Sequence, residues 1–256
     1  MLADKSVRAP RMIYYGLVIT GTDTGVGKTE LGCGLARAFR ARGVRIGVFK
    51  PIETGRPEEA GQPAGEDAKR LIAASGCGSS LEKVSPYRFK LAAAPLAAAR
   101  AEGREILFEK IYQVFDELAG EHELMIVEGA GGLLVPANEN FLFADLILPM
   151  QLPLLIVAED RLGVIGRVLL TLEAARSRGL EILGVALNQT QPGAGTEKLR
   201  HKELIEEFGK TQVLARIGYL APAGREEEMA RICGELAERI EPRIRELGRQ
   251  TVLKYL

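Results

Sequence analysis

The sequence predicts an α/β fold: a doubly wound, mostly parallel sheet with helices on both faces. Three observations carry that expectation. Short apolar runs alternate with amphipathic segments along the chain. The runs are continuous in leucine and β-branched residues, which suits strands buried on both faces of a parallel sheet. A glycine-rich turn joins the first apolar run to the first amphipathic segment, the arrangement a phosphate group needs.

The elements follow in order. A strand is predicted over 15–20, where the first apolar run stops at Gly21, and a helix over 29–42 directly after the glycines. The second strand, 45–50, ends in Lys50-Pro51. Residues 56–66, RPEEAGQPAGE, are rich in Pro, Gly and Glu and read as a mobile loop. Helices are expected over 67–75, 92–101 and 108–119, then a strand over 124–128 that ends at Glu128. Strand 154–158, helix 164–178, strand 182–188, helix 196–208, strand 213–217 and helix 226–247 complete the alternation. Pro242 is expected to break the last helix. Neither an internal repeat nor a clear linker interrupts the pattern. The expectation is one domain over 13–256 behind a flexible N-terminal extension, residues 1–12.

The stretch VITGTDTGVGKTELG, from Val18 to Gly32, carries the most chemistry. Glycine lets the backbone approach an anion closely and adopt unusual φ values. A helix N-terminus then presents free N–H groups and a positive dipole end. Lys28 is placed to reach outer phosphates, and the Thr29 hydroxyl to bind Mg²⁺. The spacing departs from the general P-loop pattern in one respect. Gly21 stands one position early, and Thr22 occupies the standard place of the first glycine.

On such sheets ligands bind outside the carboxyl ends of the strands. Lys50, leaving the second strand in KPIETG, faces the same crevice as Lys28, or else simply enters water. Glu128, ending MIVEGAGG, reads as a direct or water-mediated Mg²⁺ ligand, or as an acid capping a turn. Asp67 in AGEDAKRL either completes a Mg²⁺ shell or caps the helix that follows. Asn188 offers paired donor and acceptor edges to a purine base, or marks a turn.

Composition excludes other classes. Lys+Arg and Asp+Glu both number 34, so no global charge points to nucleic acid or acidic lipid. The longest apolar stretch, 146–158, is interrupted by Pro149 and Pro153 and is too short for a membrane span. The first dozen residues lack the apolar core of a signal peptide. Cys33, Cys77 and Cys233 show no metal spacing and read as reduced thiols of a cytoplasmic protein. His122 and His201 both adjoin charged residues and are expected at the surface.

Four segments together resemble the dethiobiotin synthetase family, over most of the chain from about Tyr15 to about Pro222. They are GTDTGVGKT, KPIETG, VEGAGG and FADLILPMQLPLLIVAEDRLGVIGRVLLT. In that family the early glycine of the loop and a Glu at the strand tip are normal. The resemblance implies a P-loop fold and ATP- and Mg²⁺-dependent ring closure of 7,8-diaminononanoate with CO₂, in a homodimer. It implies ATP contacts at Gly25, Val26, Gly27, Lys28, Thr29, Glu30, Asp67, Glu128, Gly129, Ala130, Gly131, Asn188, Gln189, Gly218, Tyr219 and Leu220. Thr29, Asp67 and Glu128 would hold Mg²⁺, while Lys28 and Lys50 would be catalytic. Thr54 and the segment Leu162, Gly163, Val164 and Ile165 would meet the substrate, the segment reaching the neighbouring subunit's site. Three places depart from the family: FKLAAAP at 89–95 and Gly166 on the substrate side, and Gly218 beside the base.

Other readings stand beside it. A related P-loop ligase with another substrate shares these features. Cobyrinate-type amidotransferases need a further domain with a nucleophilic Cys, for which the chain leaves little room. Partition-type ATPases carry an extra lysine early in the loop, where this chain has Gly21, Thr22 and Asp23. A non-catalytic nucleotide module would not need both Lys28 and Lys50.

Overall fold

A computed structural model describes residues 14–55, 58–59, 62–63, 65–192, 200–221 and 223–255. Its central sheet has six strands: β1 (Gly16–Gly21), β2 (Ile46–Phe49), β7 (Leu124–Gly132), β8 (Leu154–Glu159), β9 (Ile182–Asn188) and β10 (Val213–Ile217). They lie in the order β10-β9-β8-β1-β7-β2, and every adjacent pair is parallel. Succession away from β1 runs in both directions, so the topological switch falls at β1, where the phosphate loop leaves the sheet. All six predicted strands are present. The third runs four residues further, because Gly132 pairs with Gly21 across a register shift.

Strand alternation explains the continuous apolar runs. Leu17 and Ile19 of β1 pack on one face while Val18 packs on the other, and all three are fully buried. The Leu17 face is covered by α1 (Lys28–Ala41), α2 (Glu66–Ser75) and α9 (Arg225–Tyr255). The Val18 face is covered by α4 (Pro95–Ala101), α5 (Phe108–Glu121), α6 (Phe143–Ile147), α7 (Val164–Arg176) and α8 (His201–Gly209). A 3₁₀ turn, Leu148–Met150, follows α6. Beyond β2, β3 (Ile52–Thr54) pairs in parallel with β6 (Tyr87–Phe89), and the short α3 (Leu81–Val84) lies between them in sequence.

Several boundaries differ from expectation. The fourth helix begins at Pro95 rather than at 92. Proline disfavours α conformation in the residue before it, and Ala94 is extended. Within the stretch 56–66, β4 (Glu58–Glu59) pairs antiparallel with β5 (Gln62–Pro63), and α2 opens at Glu66. The expected start of helix 196–208 and the N-terminal extension 1–12 lie outside the described residues; α8 begins at His201. Pro242 does not break α9. Proline costs a helix interior about 3 kcal/mol, but Ile240 and Ile244 on either side of it are buried in the core. Among the described residues no helix is long and apolar enough to cross a membrane.

Helix α1 packs closely on α9. A Cβ on Gly34 would overlap the Cys233 sulfur, so the glycine sets the helix separation. Burial pushes the Cys33 thiol up to about 11 and the Cys233 thiol up to about 12, which keeps both unreactive. All three cysteines are unpaired thiols. Overpacking of this kind typically costs about 1–3 kcal/mol, more than the roughly 1 kcal/mol that alanine gains over glycine in a helix. Gly34→Ala is therefore expected to lower stability in urea unfolding, and Gly34→Ala/Cys233→Ala to recover most of the loss. Equal stability of wild type and Gly34→Ala would contradict this packing.

Candidate active site

The loop from Gly21 to Gly27 links β1 to α1. Gly27, the N-cap of α1, has φ 98°, a left-handed conformation natural only to glycine. It brings no side-chain cap, so the first-turn N–H groups of α1 are left for another acceptor. The Asn188 amide lies directly against Gly27, leaving no room for a Cβ there. Lys28 folds back over the loop and donates from Nζ to the Asp23 carbonyl at 2.9 Å. The residue is 7% exposed. Burial, and then the nearby Lys50 charge, lower its ammonium to about 8.

A second cluster lies beside the loop. Lys50 follows β2, and Glu128 ends the apolar half of β7, the strand next to it. The Lys50 ammonium donates to Glu128 Oε1 and lies 3.3 Å from the Gly129 carbonyl and 3.6 Å from Asp67 Oδ2. Thr29 Oγ1 donates to the same Glu128 oxygen at 2.8 Å. Burial alone would lower the Lys50 ammonium, but Glu128 and Asp67 together hold it above the ordinary lysine value. Glu128 is completely buried, and among the described residues its Oε2 has no hydrogen-bond partner.

That Oε2 atom bears on metal binding. A buried carboxylate oxygen without a donor attracts a cation, and the Thr29 hydroxyl and Asp67 carboxylate add oxygen donors nearby. Among the described residues no three His, Cys, Asp or Glu side chains form a metal cage. Two carboxylates and a hydroxyl fit Mg²⁺, which keeps several waters and takes substrate phosphates as ligands.

The other singled-out residues sort as follows. Asp67 is not the cap of α2; that position belongs to Gly65, and the Asp67 carboxylate faces Lys50 instead. Asn188 donates through Nδ2 to the Val26 carbonyl at 2.9 Å, so its amide nitrogen braces the phosphate loop. Gln189 Oε1 accepts from Tyr219 N at 3.2 Å, tying the end of β9 to the segment Gly218–Leu220. The Glu30 carboxylate is engaged by Arg70 and Arg225. Gly129 packs against the Phe143 ring, Ala130 is 9% exposed, and Gly131 has φ 67°. Thr54 ends β3 and is partly buried. Leu162 projects at 81% exposure and Gly163 caps α7, whereas Val164 is buried and Ile165 packs against the core of its own chain. The inward start of α7 thus leaves only Leu162 and Gly163 turned outward.

Glu53 was not singled out from sequence, and both histidines depart from the surface positions expected of them. Glu53, buried in β3, accepts from Asp67 N at 3.0 Å and Ala68 N at 3.2 Å. Burial raises its carboxyl above the usual range. His201 is not at the surface. It is 2% exposed, with Nδ1 2.6 Å from Asp160 Oδ1, while Arg216 Nε donates to Asp160 Oδ2 at 2.7 Å. This buried acid, reached from β8, α8 and β10, draws in a histidine that sequence neighbours place outside. His122 is also partly buried, its Nδ1 2.7 Å from the Leu118 carbonyl.

Comparison places this geometry among known proteins. Residues 15–227 match the AAA domain family. The chain is 48% identical over 177 residues to the ATP-dependent dethiobiotin synthetase BioD of Anaeromyxobacter dehalogenans (strain 2CP-C), covering 69% of this chain and 78% of that protein. It is 39% identical over 196 residues to the protein of the same name from Bacillus velezensis, covering 77% and 83%. Its fold is also that of the MinC:MinD cell division protein complex from Aquifex aeolicus, at TM-score 0.53 and 14% identity, covering 89% and 96%.

Lys28 generates a pH prediction. An unfolded lysine titrates near about 10.4 and native Lys28 near about 8. Between those values the unfolded chain binds more protons, so this residue's contribution to stability rises with pH. Urea unfolding of wild type and Lys28→Met from pH 7 to 10 isolates it. Wild type is expected to gain on the variant by up to about 3 kcal/mol across that window. A pH-independent difference would show that Lys28 is not desolvated.

Proposed function

The chain belongs to the ATP-dependent dethiobiotin synthetase family, and from that premise we propose how its residues perform the reaction. The enzyme converts 7,8-diaminononanoate, CO₂ and ATP to dethiobiotin, ADP and phosphate. One amine takes up CO₂ as a carbamate, the carbamate oxygen attacks the γ-phosphate, and the mixed anhydride closes onto the second amine.

The observation that carries the assignment of roles is the buried pair of cations, Lys28 at the loop and Lys50 against Glu128. A ligase of this kind holds two anions, the phosphates and the carbamate, in one crevice. Two unit charges about 4 Å apart repel by roughly 4 kcal/mol at an effective dielectric near 20. Lys28, with the first-turn amides of α1, binds the outer phosphates. Lys50 stabilises the carbamate and the transferring phosphoryl group. Gly25, Val26 and Gly27 wrap the phosphates, and Thr54 hydrogen-bonds the substrate. Gly129, Ala130 and Gly131 line the crevice. Asn188, Gln189, Gly218, Tyr219 and Leu220 hold the adenine, with Asn188 bracing Val26 as well.

Thr29, Asp67 and Glu128 would hold Mg²⁺, which would offset the negative charge of the phosphates. The orphan Glu128 Oε2 and the two neighbouring oxygen donors support that set. The working unit is a homodimer, in which exposed Leu162 and Gly163 complete the partner's substrate site. Residues 13–256 act as one domain, and the reduced thiols suit the cytoplasm.

Two measurements check this reading. With Mg²⁺, ATP and bicarbonate, phosphate release is expected only when 7,8-diaminononanoate is present, one phosphate per dethiobiotin formed. Turnover indifferent to the diamine would refute the substrate. Sedimentation should give a dimer at assay concentration, and Leu162→Asp should raise KM for the diamine while leaving KM for ATP nearly unchanged. A fully active monomer would remove the shared site.

A further inference from the structure

Helix α2 carries Asp67 on its first turn but has no cap of its own. Gly65 at the N-cap is left-handed and brings no side chain. The missing acceptor comes from another strand. Glu53 of β3 places one carboxylate oxygen on Asp67 N and the other on Ala68 N. A carboxylate at a helix N-terminus satisfies open donors and favours the dipole. Here it also spans fourteen residues of sequence and fixes the turn from which Asp67 reaches Lys50. Glu53 lies three positions after Lys50, on a strand held by pairing of Glu53 with Arg88. One short segment therefore supplies the ammonium and, through α2, steadies the acid facing it.

We propose that Glu53 is a positioning residue: by capping α2 from β3 it holds Asp67 in the crevice and thereby sets the affinity of the site for Mg²⁺. The proposal rests on the reading that Asp67 serves the cation. In this reading Glu53 acts through α2, its two carboxylate oxygens accepting from Asp67 N and Ala68 N. Glu53 is 2% exposed, within a strand whose preceding residue, Ile52, is wholly in the core. A glutamine there keeps the volume but turns an N–H₂ toward one of two backbone donors, so one helix N–H loses its acceptor. The first turn of α2 then relaxes and Asp67 with it. Groups that orient a ligand typically matter about 10–100-fold to metal affinity.

The test is equilibrium binding of a fluorescent ATP analogue as Mg²⁺ is titrated. It uses wild type, Glu53→Gln, Asp67→Ala and the double variant, with binding in EDTA and urea stability measured alongside. Both single variants should raise the Mg²⁺ midpoint about tenfold, and the double variant should lie no higher than Asp67→Ala. Binding in EDTA should stay within about twofold of wild type. A midpoint shifted by Asp67→Ala but not by Glu53→Gln overturns the proposal and leaves Glu53 as a stability cap. Shifts that multiply in the double variant overturn it too, because they show independent action. No shift in Asp67→Ala removes the metal role of Asp67 and the proposal with it. If Glu53→Gln does not fold, Glu53→Asp, which keeps the charge but shortens the reach, is read against the same outcomes.

Discussion

A lysine at 4% exposure is tolerable only where carboxylates meet its ammonium, and most of this crevice is arranged to satisfy Lys50. The sheet order makes that satisfaction available. Strand β7 lies beside β2, so an acid at the end of its apolar half meets a lysine leaving its neighbour. Glu128 then receives Thr29 from α1, and Asp67 closes in from α2. One buried cation thus ties together two strands and two helices. Breaking such a pair by removing one partner typically costs about 3–5 kcal/mol, because the other charge stays buried. The geometry around Lys50 is for that reason a determinant of the fold as well as of the candidate site.

The phosphate loop is secured by a separate set of contacts. Lys28 crosses it to Asp23, and Asn188 reaches from the end of β9 to Val26. Arg167 of α7 lies 3.8 Å from the Asp23 carboxylate on the outer side. Asp160 gathers His201 and Arg216 behind the tips of β8 and β10. Its backbone N–H donates to the Asn188 carbonyl. The buried ionic network therefore adjoins the very residue that braces the loop. Rigid strand ends of this kind hold backbone donors in place before an anion arrives, which is where electrostatic preorganisation comes from.

Much of this was legible in sequence. Six strands, the glycine loop and Lys28 follow from local patterns of apolar runs and glycine at strand ends, while charge at strand tips marked Lys50 and Glu128 but left each with a second reading. What escaped is non-local. Glu53 sits within the quoted KPIETG, yet its role depends on a helix fourteen residues away. His201 looks solvated from its neighbours, and only the fold brings Asp160 against it. Pro242 should end a helix by local rules, but apolar burial on both sides overrides them. The resemblance implies a substrate-facing segment that includes Val164, whereas helical geometry turns that side chain into the core.

The central claim is that Lys50 serves the second anion rather than the nucleotide. Lys50→Gln tests it most directly, with equilibrium ATP binding and steady-state kinetics measured on the same preparation. The account expects ATP affinity close to wild type, loss of most of kcat and a raised KM for 7,8-diaminononanoate. Collapse of ATP binding with diamine kinetics unchanged would assign Lys50 to the nucleotide and contradict the two-anion account.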